Sequence, residues 1–507
     1  MTVGRHPRRT WLGFGLLFVT AALLIVLPVT IPTILVGALA TGVLAFDRRF
    51  GPLPAALLVM LALPYDRAAD LYLPEVAGVP FRVQDGVVAT GIVLAMLRIS
   101  GLRARLATAD GRLLALSAVV GLFLVLGLVA LWIGWLADHA ARDIFRDARW
   151  WVLYAVVLLA LATGTRWPLI VRAALVGTTI FAAVIVLAAL LPPFENGLKA
   201  RAFDFDRGLL RMQFGNSAFL LVGLAYATRA VLRRPDWGRW AWLLLLVTAG
   251  GLSLTRTFIL VAAGVVGLVV VVWLAGRARQ ARAGDPRLRV ASVITAVVVG
   301  FVVAIGTTFA GVRITGRTVA ATPAPVASPA SSAAPSASPA PVRPAPTPIE
   351  DPVERLLFQG PNSDINSLSR RFAAYGRAVD IIVARPILGS GLGQLVAVDY
   401  EFGRVEFDTP GFLPNVDDAY LTVGMKAGLV GMIVFAAMLL LPLLTLVRHR
   451  ARQLGGWFLP AWIGILGLTL TQSFATTGYG PFAVGLLLVV PSLAYASRRP
   501  SRARAQA

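Results

Sequence analysis

Three groups of charged residues stand beside long apolar runs, and their side chains could do chemistry together. Arg256 lies in the stretch LSLTRTFILV, which joins two apolar runs and contains no carboxylate. The basic pair Arg370 and Arg371 opens a second segment, and Asp417 and Asp418 precede another apolar run. Guanidinium groups bind phosphate oxygens through planar sets of donors, and a carboxylate can take a proton from an alcohol. This set suits the displacement of a diphosphate leaving group by a hydroxyl.

Each of these groups also has a purely structural interpretation. Arg256 can extend its side chain to lipid phosphates, and Arg370 and Arg371 can form a basic face against anionic lipid. Asp418 can cap the helix that follows it, because carboxylates are favoured at helix N-termini. Since one cap is enough, the other acid is left to act as a general base or to bind a sugar hydroxyl.

A fourth cationic group lies in the segment 192–213, which contains Lys199, Arg201, Arg207 and Arg211 together with three acids. Four cations close to a membrane surface can meet an anionic headgroup, and we include Arg211 among the candidate ligands of the diphosphate. The alternative is an ordinary solvated loop with ion pairs of its own.

The composition identifies the elements that must position these residues as membrane-spanning helices. The chain has 507 residues, of which 57% are hydrophobic and only 14% charged, too few polar residues to cover a soluble globule. Apolar runs of the length that crosses a bilayer predict an all-α, polytopic helical bundle with about 12 to 14 spans. The two short runs at 53–64 and 86–98 could instead be re-entrant. The predicted spans are 11–27, 29–46, 53–64, 86–98, 113–136, 150–163, 168–191, 214–232, 240–254, 257–275, 290–311, 420–447, 456–472 and 480–497.

The distribution of charge predicts the orientation of this bundle. The net charge is +22. Nearly all of this excess lies in alternate connecting segments, and positive and negative residues nearly balance in the rest of the chain. By the positive-inside rule, the basic segments and both termini face the cytoplasm, in a multi-pass protein of the plasma membrane. Because the excess follows this pattern, a nucleic-acid partner is not expected, and membrane lipids are.

Four regions follow from these spans. Residues 1–311 form the N-terminal transmembrane helices, 420–497 the C-terminal ones, and 498–507 a basic cytoplasmic tail. Between them lies an extracytoplasmic loop, 312–419. Its part 321–348 is a disordered Pro/Ala/Ser spacer that cannot bury a core. Its part 366–385 has the apolar spacing of an amphipathic helix, with Arg371 one turn before Tyr375.

Metal and cofactor chemistry find little support in the composition. The chain has no cysteine and three histidines, His6, His139 and His449, which stand in polar segments at the ends of predicted spans. It also lacks the clustered acids that are typical of a magnesium site. We therefore expect no metal and no cofactor.

Three stretches resemble the O-antigen ligase and O-antigen polymerase family of membrane glycosyltransferases. They are TRTFIL, RFAAYGRAVDIIVARPILGSGLGQL and DDAYLTVGMKAGLVGMIVF. In the second stretch Arg371, Tyr375, Pro386 and the glycines that follow match the family pattern in order. The resemblance covers roughly residues 210–445. It implies transfer of a glycan from undecaprenyl diphosphate to an acceptor hydroxyl at the outer face of the membrane, in cell-envelope polysaccharide biosynthesis.

The resemblance also assigns roles to residues of this chain. It implies that Arg256 and Arg371 hold the diphosphate and that Asp417 occupies the place of a histidine base. The usual His-Asn pair is Asp417-Asp418 here, and Lys426 replaces a glutamate. Either the acceptor needs less activation, or another group is the base, or activity has been lost. Whether the acceptor is a further lipid-linked glycan, as for a polymerase, or another lipid, as for a ligase, stays open.

Two alternatives belong to other functional classes. A lipid-linked saccharide transporter should carry ionisable residues in the middle of its spans and usually an internal repeat. The middles of the predicted spans are almost free of such residues. A non-catalytic scaffold of a polysaccharide assembly complex is the other alternative, and the missing histidine favours it.

Overall fold

The computed structural model describes most of the chain, with gaps mainly in connecting segments. The described residues are 7–26, 31–47, 50–64, 75–76, 79–80, 83–99, 111–191, 203–204, 209–210, 215–253, 256–277, 286–319, 367–398, 401–402, 405–406, 411–449, 454 and 456–497. The candidate ligand Arg211, the predicted spacer 321–348 and the basic tail 498–507 lie outside them.

Helices dominate the described part of the chain. The α-helices are α1 (Pro7–Val26), α2 (Ile31–Ala45), α3 (Pro52–Ala62), α4 (Val83–Met96), α5 (Gly111–Leu136), α6 (Ala141–Val152), α7 (Val156–Ala162), α8 (Trp167–Leu190), α9 (Leu220–Arg233), α10 (Trp237–Gly251), α11 (Arg256–Arg277), α12 (Pro286–Val319), α13 (Ser367–Ala384), α14 (Ala419–His449), α15 (Phe458–Thr469) and α16 (Gly480–Ala496). Short 3₁₀ turns occupy Leu153–Ala155, Gly215–Phe219 and Ser473–Thr476.

The strands are short antiparallel pairs that lie in the connecting segments. They are β1 (Glu75–Val76) with β2 (Val79–Pro80), β3 (Phe203–Asp204) with β4 (Leu209–Leu210), β5 (Val396–Val398) with β8 (Gly411–Leu413), and β6 (Glu401–Phe402) with β7 (Val405–Glu406). The pair β5–β8, in which Val396 lies opposite Leu413, closes the segment between α13 and α14.

The predicted all-α polytopic membrane fold is confirmed. Each of the fourteen predicted spans overlaps an α-helix. Four helices are long and apolar enough to cross a membrane by length and composition, namely α5, α8, Thr257–Gly276 of α11 and Ala419–Val447 of α14. On α5 the apolar side chains of Val125, Leu128 and Trp132 are exposed, whereas Phe123 and Ala130 are buried in the bundle. An exposed apolar face beside a buried one is what a lipid-facing helix requires.

Two predicted spans have a different form in the structure. The span 150–163 is divided, because α6 ends at Val152 and a 3₁₀ turn separates it from α7. The short helix α3 is roughly 16 Å long at 1.5 Å per residue, about half of the hydrocarbon thickness. It lies inside the bundle, with all but its first residue buried, and packs against α4 and α8.

A side-chain amide completes the end of α3. The Nδ2 group of Asn216 donates to the carbonyl oxygens of Met60 at 3.0 Å and Leu61 at 3.3 Å, and also to that of Leu63. Carbonyls at a helix C-terminus have no partner within the helix, and none can be left unpaired inside a membrane protein. Asn216 therefore allows α3 to end inside the protein.

The backbone of α12 is helical to Val319, eight residues into the predicted loop. Helix α14 is interrupted at Gly428, where φ is 67° and ψ is −169°. The interruption leaves backbone groups within the helix that need partners from elsewhere.

Candidate functional site

The amphipathic helix α13 is held against the start of α14 by a small apolar cluster. Ala374, Ala378 and Ile382, spaced by one helical turn, are buried against Val396 of β5, Val416 and Met425. Tyr375 and Leu421 pack at the edge of this cluster. The packing fixes α13 so that the neighbouring residues Arg371 and Tyr375 lie beside the segment that leads into α14.

Arg371 and Asp417, both predicted as site residues, contact each other. The Nε atom of Arg371 lies 3.0 Å from Oδ2 of Asp417. Both side chains remain partly accessible, at 24% for Arg371 and 39% for Asp417. Because the contact uses Nε, the two Nη groups take no part in it. The sequence placed both residues at one site and did not predict that they would form a pair.

Asp418 has the capping role that the sequence offered for it. Its Oδ1 atom accepts a hydrogen bond of 2.8 Å from the backbone N–H of Leu421, in the first turn of α14. Burial raises the pKa of Asp418 above its usual value, although hydrogen bonds from the backbone of Leu421 and Tyr420 oppose that shift. A carboxylate with a raised pKa accepts a proton more readily than an ordinary aspartate.

Tyr375 lies close to both acids. Burial, together with the charges of Asp417 and Asp418 and against that of Arg371, raises the pKa of Tyr375 to about 12. The hydroxyl therefore keeps its proton at neutral pH and can donate a hydrogen bond to an anion. The sequence identified Tyr375 as part of the family pattern without giving it this role.

The other predicted cations are less fully placed. Arg256 is the first residue of α11 and Arg370 lies in the first turn of α13; for both, the description is limited to the backbone. Helix α15 packs against both α11, which begins with Arg256, and α14, which follows Asp418. Arg211 falls in a segment outside the described residues. The binding roles of these three arginines stay predictions.

A buried ion pair near this segment was missed by the sequence analysis. The Nζ atom of Lys426 contacts Oδ2 of Asp147, and neither side chain is accessible to solvent. The same carboxylate oxygen accepts a bond of 2.8 Å from the backbone N–H of Gly393, and Nζ lies 3.3 Å from the carbonyl of Gln394. The signal was available, since Lys426 departs from the family pattern and is a cation within an apolar run.

The glycine-rich turn between α13 and β5 fills the interruption in α14. The N–H groups of Ser390 and Gly391 donate to the carbonyls of Met425 and Lys426, at 2.8 and 3.1 Å, and Leu429 N–H donates to Pro386 O at 2.7 Å. The left-handed φ of Gly428 permits this close approach, which brings the turn onto the broken helix. The turn and α14 thus support each other's backbone groups.

A histidine also contacts this turn. The Nδ1 atom of His139 lies 2.8 Å from the carbonyl oxygen of Leu392. Because a carbonyl only accepts hydrogen bonds, Nδ1 carries the proton in this contact, and Nε2 of the neutral ring is an acceptor. From the sequence, His139 was of interest only as a possible metal ligand. Its Nε2 atom is a proton acceptor of a different chemical type from the carboxylates of Asp417 and Asp418.

Within the described residues, no group of three or more His, Asp or Glu side chains could hold a metal ion. The cations described at the site are the partly accessible Arg371 and Lys426, which is buried against Asp147.

One comparison with known proteins identifies a relationship. Residues 241–436 match the family model described as O-antigen ligase. No curated protein matches the sequence. The matched region contains α11, α13, the glycine-rich turn, Asp417, Asp418 and Lys426. It supports assignment to that family and indicates an O-antigen-ligase-like membrane glycosyltransferase.

Proposed function

We propose that this chain, as a member of the O-antigen ligase family, transfers a glycan from undecaprenyl diphosphate to an acceptor hydroxyl at the outer face of the plasma membrane. The observation that supports this most is the contact of 3.0 Å between Arg371 and Asp417, beside Asp418 and Tyr375. A guanidinium held next to carboxylates that can accept a proton suits the displacement of a diphosphate by an alcohol.

In this proposal Asp417 positions Arg371 and leaves the Nη donors of Arg371 for the diphosphate. A planar guanidinium binds phosphate oxygens through two parallel hydrogen bonds. The neutral hydroxyl of Tyr375 donates a further bond. Arg256, Arg370 and Arg211 complete the charge compensation as the diphosphate departs.

The reaction then needs one proton acceptor. The acceptor hydroxyl attacks the anomeric carbon, the bond from that carbon to the diphosphate oxygen breaks, and the hydroxyl proton passes to the base. We assign the base to Asp418, because it follows Asp417, the partner of Arg371, and burial raises its pKa. His139 is the alternative base, through its Nε2 atom.

The lipid part of the donor would lie along the exposed face of α13. Phe372 and Val383 are 66% and 71% exposed, and Val379 and Ile387 are also exposed. These positions follow one side of the helix and continue into the glycine-rich turn. A polyprenyl chain is apolar, and the row of apolar side chains next to Arg371 gives it a surface beside the phosphate ligands.

The test measures glycan transfer from lipid-linked donor in membranes that contain each variant at equal amounts. Arg371→Ala should reduce the rate at least about a hundredfold, the usual effect of removing a group that stabilises transition-state charge. Arg371→Lys should also be impaired, because lysine cannot form the two parallel hydrogen bonds of a planar guanidinium. Arg385→Ala is the matched control, since Arg385 is exposed on the segment that follows α13. A non-catalytic scaffold would tolerate all three changes.

The base is tested by comparing Asp417→Asn, Asp418→Asn and His139→Gln. Loss of the proton acceptor should lower kcat with little change in KM, whereas loss of the group that positions Arg371 should raise KM for the donor as well. If Asp418→Asn keeps the full rate and His139→Gln loses it, the base is His139.

One observation favours the transporter alternative. Ionisable residues buried within a membrane bundle often line the pathway of an ion or substrate, and Lys426 with Asp147 is such a pair. In that case a double variant, Lys426→Met with Asp147→Leu, would abolish the movement of a lipid-linked saccharide across the membrane of vesicles that contain the protein. A transferase that keeps its fold would retain glycan transfer in the same variant.

A further inference from the structure

A cleft lies beyond the end of α14 that is opposite Asp417 and Asp418. It has a volume of about 880 Å³ and is bordered by α8, α9, α10 and the segment after α14. Its lining residues are Trp167, Pro168, Val171, Arg172, Leu175, Val176, Thr179, Ile180, Tyr226, Arg229, Ala230, Arg233, Arg239, Trp242, Leu454 and Trp457. Its lining residues Trp167, Arg233 and Leu454 belong to the segments 164–167, 233–239 and 448–455, all of which the charge distribution assigns to the cytoplasm.

Cations from three helices line this cleft. They are Arg172 of α8, Arg229 and Arg233 of α9, and Arg239 of α10, and none of the described lining residues is acidic. Arg239 is already engaged, since its Nε lies 3.1 Å from Asp236 and its Nη1 donates to the carbonyl of Arg234. Arg172 and Arg233 are exposed. The cleft thus presents positive charge where Arg172 and Arg233 are exposed to solvent.

Aromatic and aliphatic side chains form the rest of the wall. The rings of Tyr226 and Trp457 meet edge to face at 5.1 Å, and Tyr226 lies 5.7 Å from Trp242. The indole N–H of Trp242 donates to Thr179 at 2.8 Å, which fixes its orientation. Tryptophan and tyrosine are enriched where headgroups meet acyl chains. A ligand with an anionic head and an apolar tail matches both halves of the cleft.

We propose that this cleft binds the phosphate headgroup of an anionic glycerophospholipid of the cytoplasmic leaflet. The phosphate lies between Arg172, Arg229 and Arg233, and an acyl chain lies on the wall formed by Val171, Val176 and Ile180. Basic pockets between membrane helices on the cytoplasmic side bind phospholipid headgroups for these electrostatic reasons. The proposal does not depend on the transfer reaction, which is assigned to the opposite side of the bundle.

The test measures lipid retention by the purified full chain in detergent, with native mass spectrometry and thermal unfolding as readouts. Cardiolipin and phosphatidylglycerol should remain bound and raise the melting temperature, and phosphatidylethanolamine should do neither. The double variant Arg172→Gln/Arg233→Gln should bind cardiolipin about thirtyfold more weakly, since each arginine near an anionic lipid contributes roughly a factor of five. Arg234→Gln is the matched control, because Arg234 is the exposed neighbour of Arg233 and does not line the cleft.

Two further arms make the result decisive. Arg172→Lys/Arg233→Lys keeps the charge and should retain cardiolipin, which separates an electrostatic role from altered folding. Inorganic phosphate, added alone, tests the other source of the same chemistry. If phosphate displaces cardiolipin and stabilises the protein by itself, or if the glutamine double variant retains cardiolipin as well as the unaltered chain, the proposed lipid site is wrong.

Discussion

Lys426 and Asp147 form an ion pair in which neither side chain reaches solvent, although the two residues are 279 positions apart in the chain. The pair joins α14 to α6 and also binds the backbone of Gly393 and Gln394 in the glycine-rich turn. It therefore connects α6, α14 and the glycine-rich turn. In a medium of low dielectric such a pair is stable only while both partners are present.

Removal of one partner should be far more damaging than removal of both. We expect Lys426→Met or Asp147→Asn to lower the free energy of unfolding by about 3–5 kcal/mol, because each leaves a buried group without its partner. The double variant Lys426→Met/Asp147→Leu should recover part of that loss, because no charge stays buried but the N–H of Gly393 loses its acceptor. Thermal unfolding of purified protein measures both effects.

The nearby pair of Arg146 and Asp143 serves as the control. It is a partly exposed pair at 2.7 Å. Breaking it with Asp143→Asn should cost less than about 1 kcal/mol. Equal losses for the two pairs would contradict the structural role assigned to Lys426 and Asp147.

The interruption of α14 depends on a glycine. At Gly428 the φ angle is 67°, and a Cβ atom there would lie 2.2 Å from the carbonyl oxygen of Ile387. Gly428→Ala should therefore destabilise the protein by at least about 2 kcal/mol, through left-handed strain and the displaced turn. Gly376→Ala is the control, because Gly376 lies in the regular helix α13 with open space around it. That change should be neutral or slightly stabilising.

The amide of Asn216 should be required as a donor. Asn216→Leu removes the hydrogen bonds to three carbonyls at the end of α3, and we expect a loss of about 1–3 kcal/mol. Asn216→Asp should be worse, since it sets a carboxylate against carbonyl oxygens in a buried site. Melting temperatures in detergent rank the two variants. A more stable aspartate variant would show that the amide is not the donor that completes α3.

The raised pKa of Asp418 predicts how stability changes with pH. A raised pKa means that the folded protein holds this proton more tightly than the unfolded chain does. The stability that the group contributes is present below the ordinary value of 3.8 and is lost as the pH rises through the raised folded-state pKa. Asp418→Asn keeps a capping oxygen and removes the titration.

The measurement compares melting temperatures of the unaltered chain and Asp418→Asn from pH 3.8 upward. The difference should grow in favour of the asparagine variant as the pH rises through the folded-state pKa, and then level off. A difference that stays constant over this range would show that burial does not perturb Asp418.

The sequence by itself determined the elements of this protein, because their signals are local. Hydropathy summed along each run predicted fourteen spans that overlap α-helices, and the apolar spacing of 366–385 predicted a helix that the structure shows as Ser367–Ala384. The sequence also brought Arg371, Asp417 and Asp418 to one candidate site. Short-range patterns fix which segments are helical, since hydrogen bonds and lipid contacts of a helix depend on neighbouring residues.

Only the tertiary structure decided how the charged groups are paired. Asp417 lies against Arg371 across 46 positions, and Lys426 found its partner, Asp147, in a segment that the sequence had placed between two spans. The break at Gly428 and the cleft between α8, α9 and α10 likewise arise where distant segments pack. An ion pair is set by distance and burial in space, and neither quantity is recorded in the order of residues along the chain.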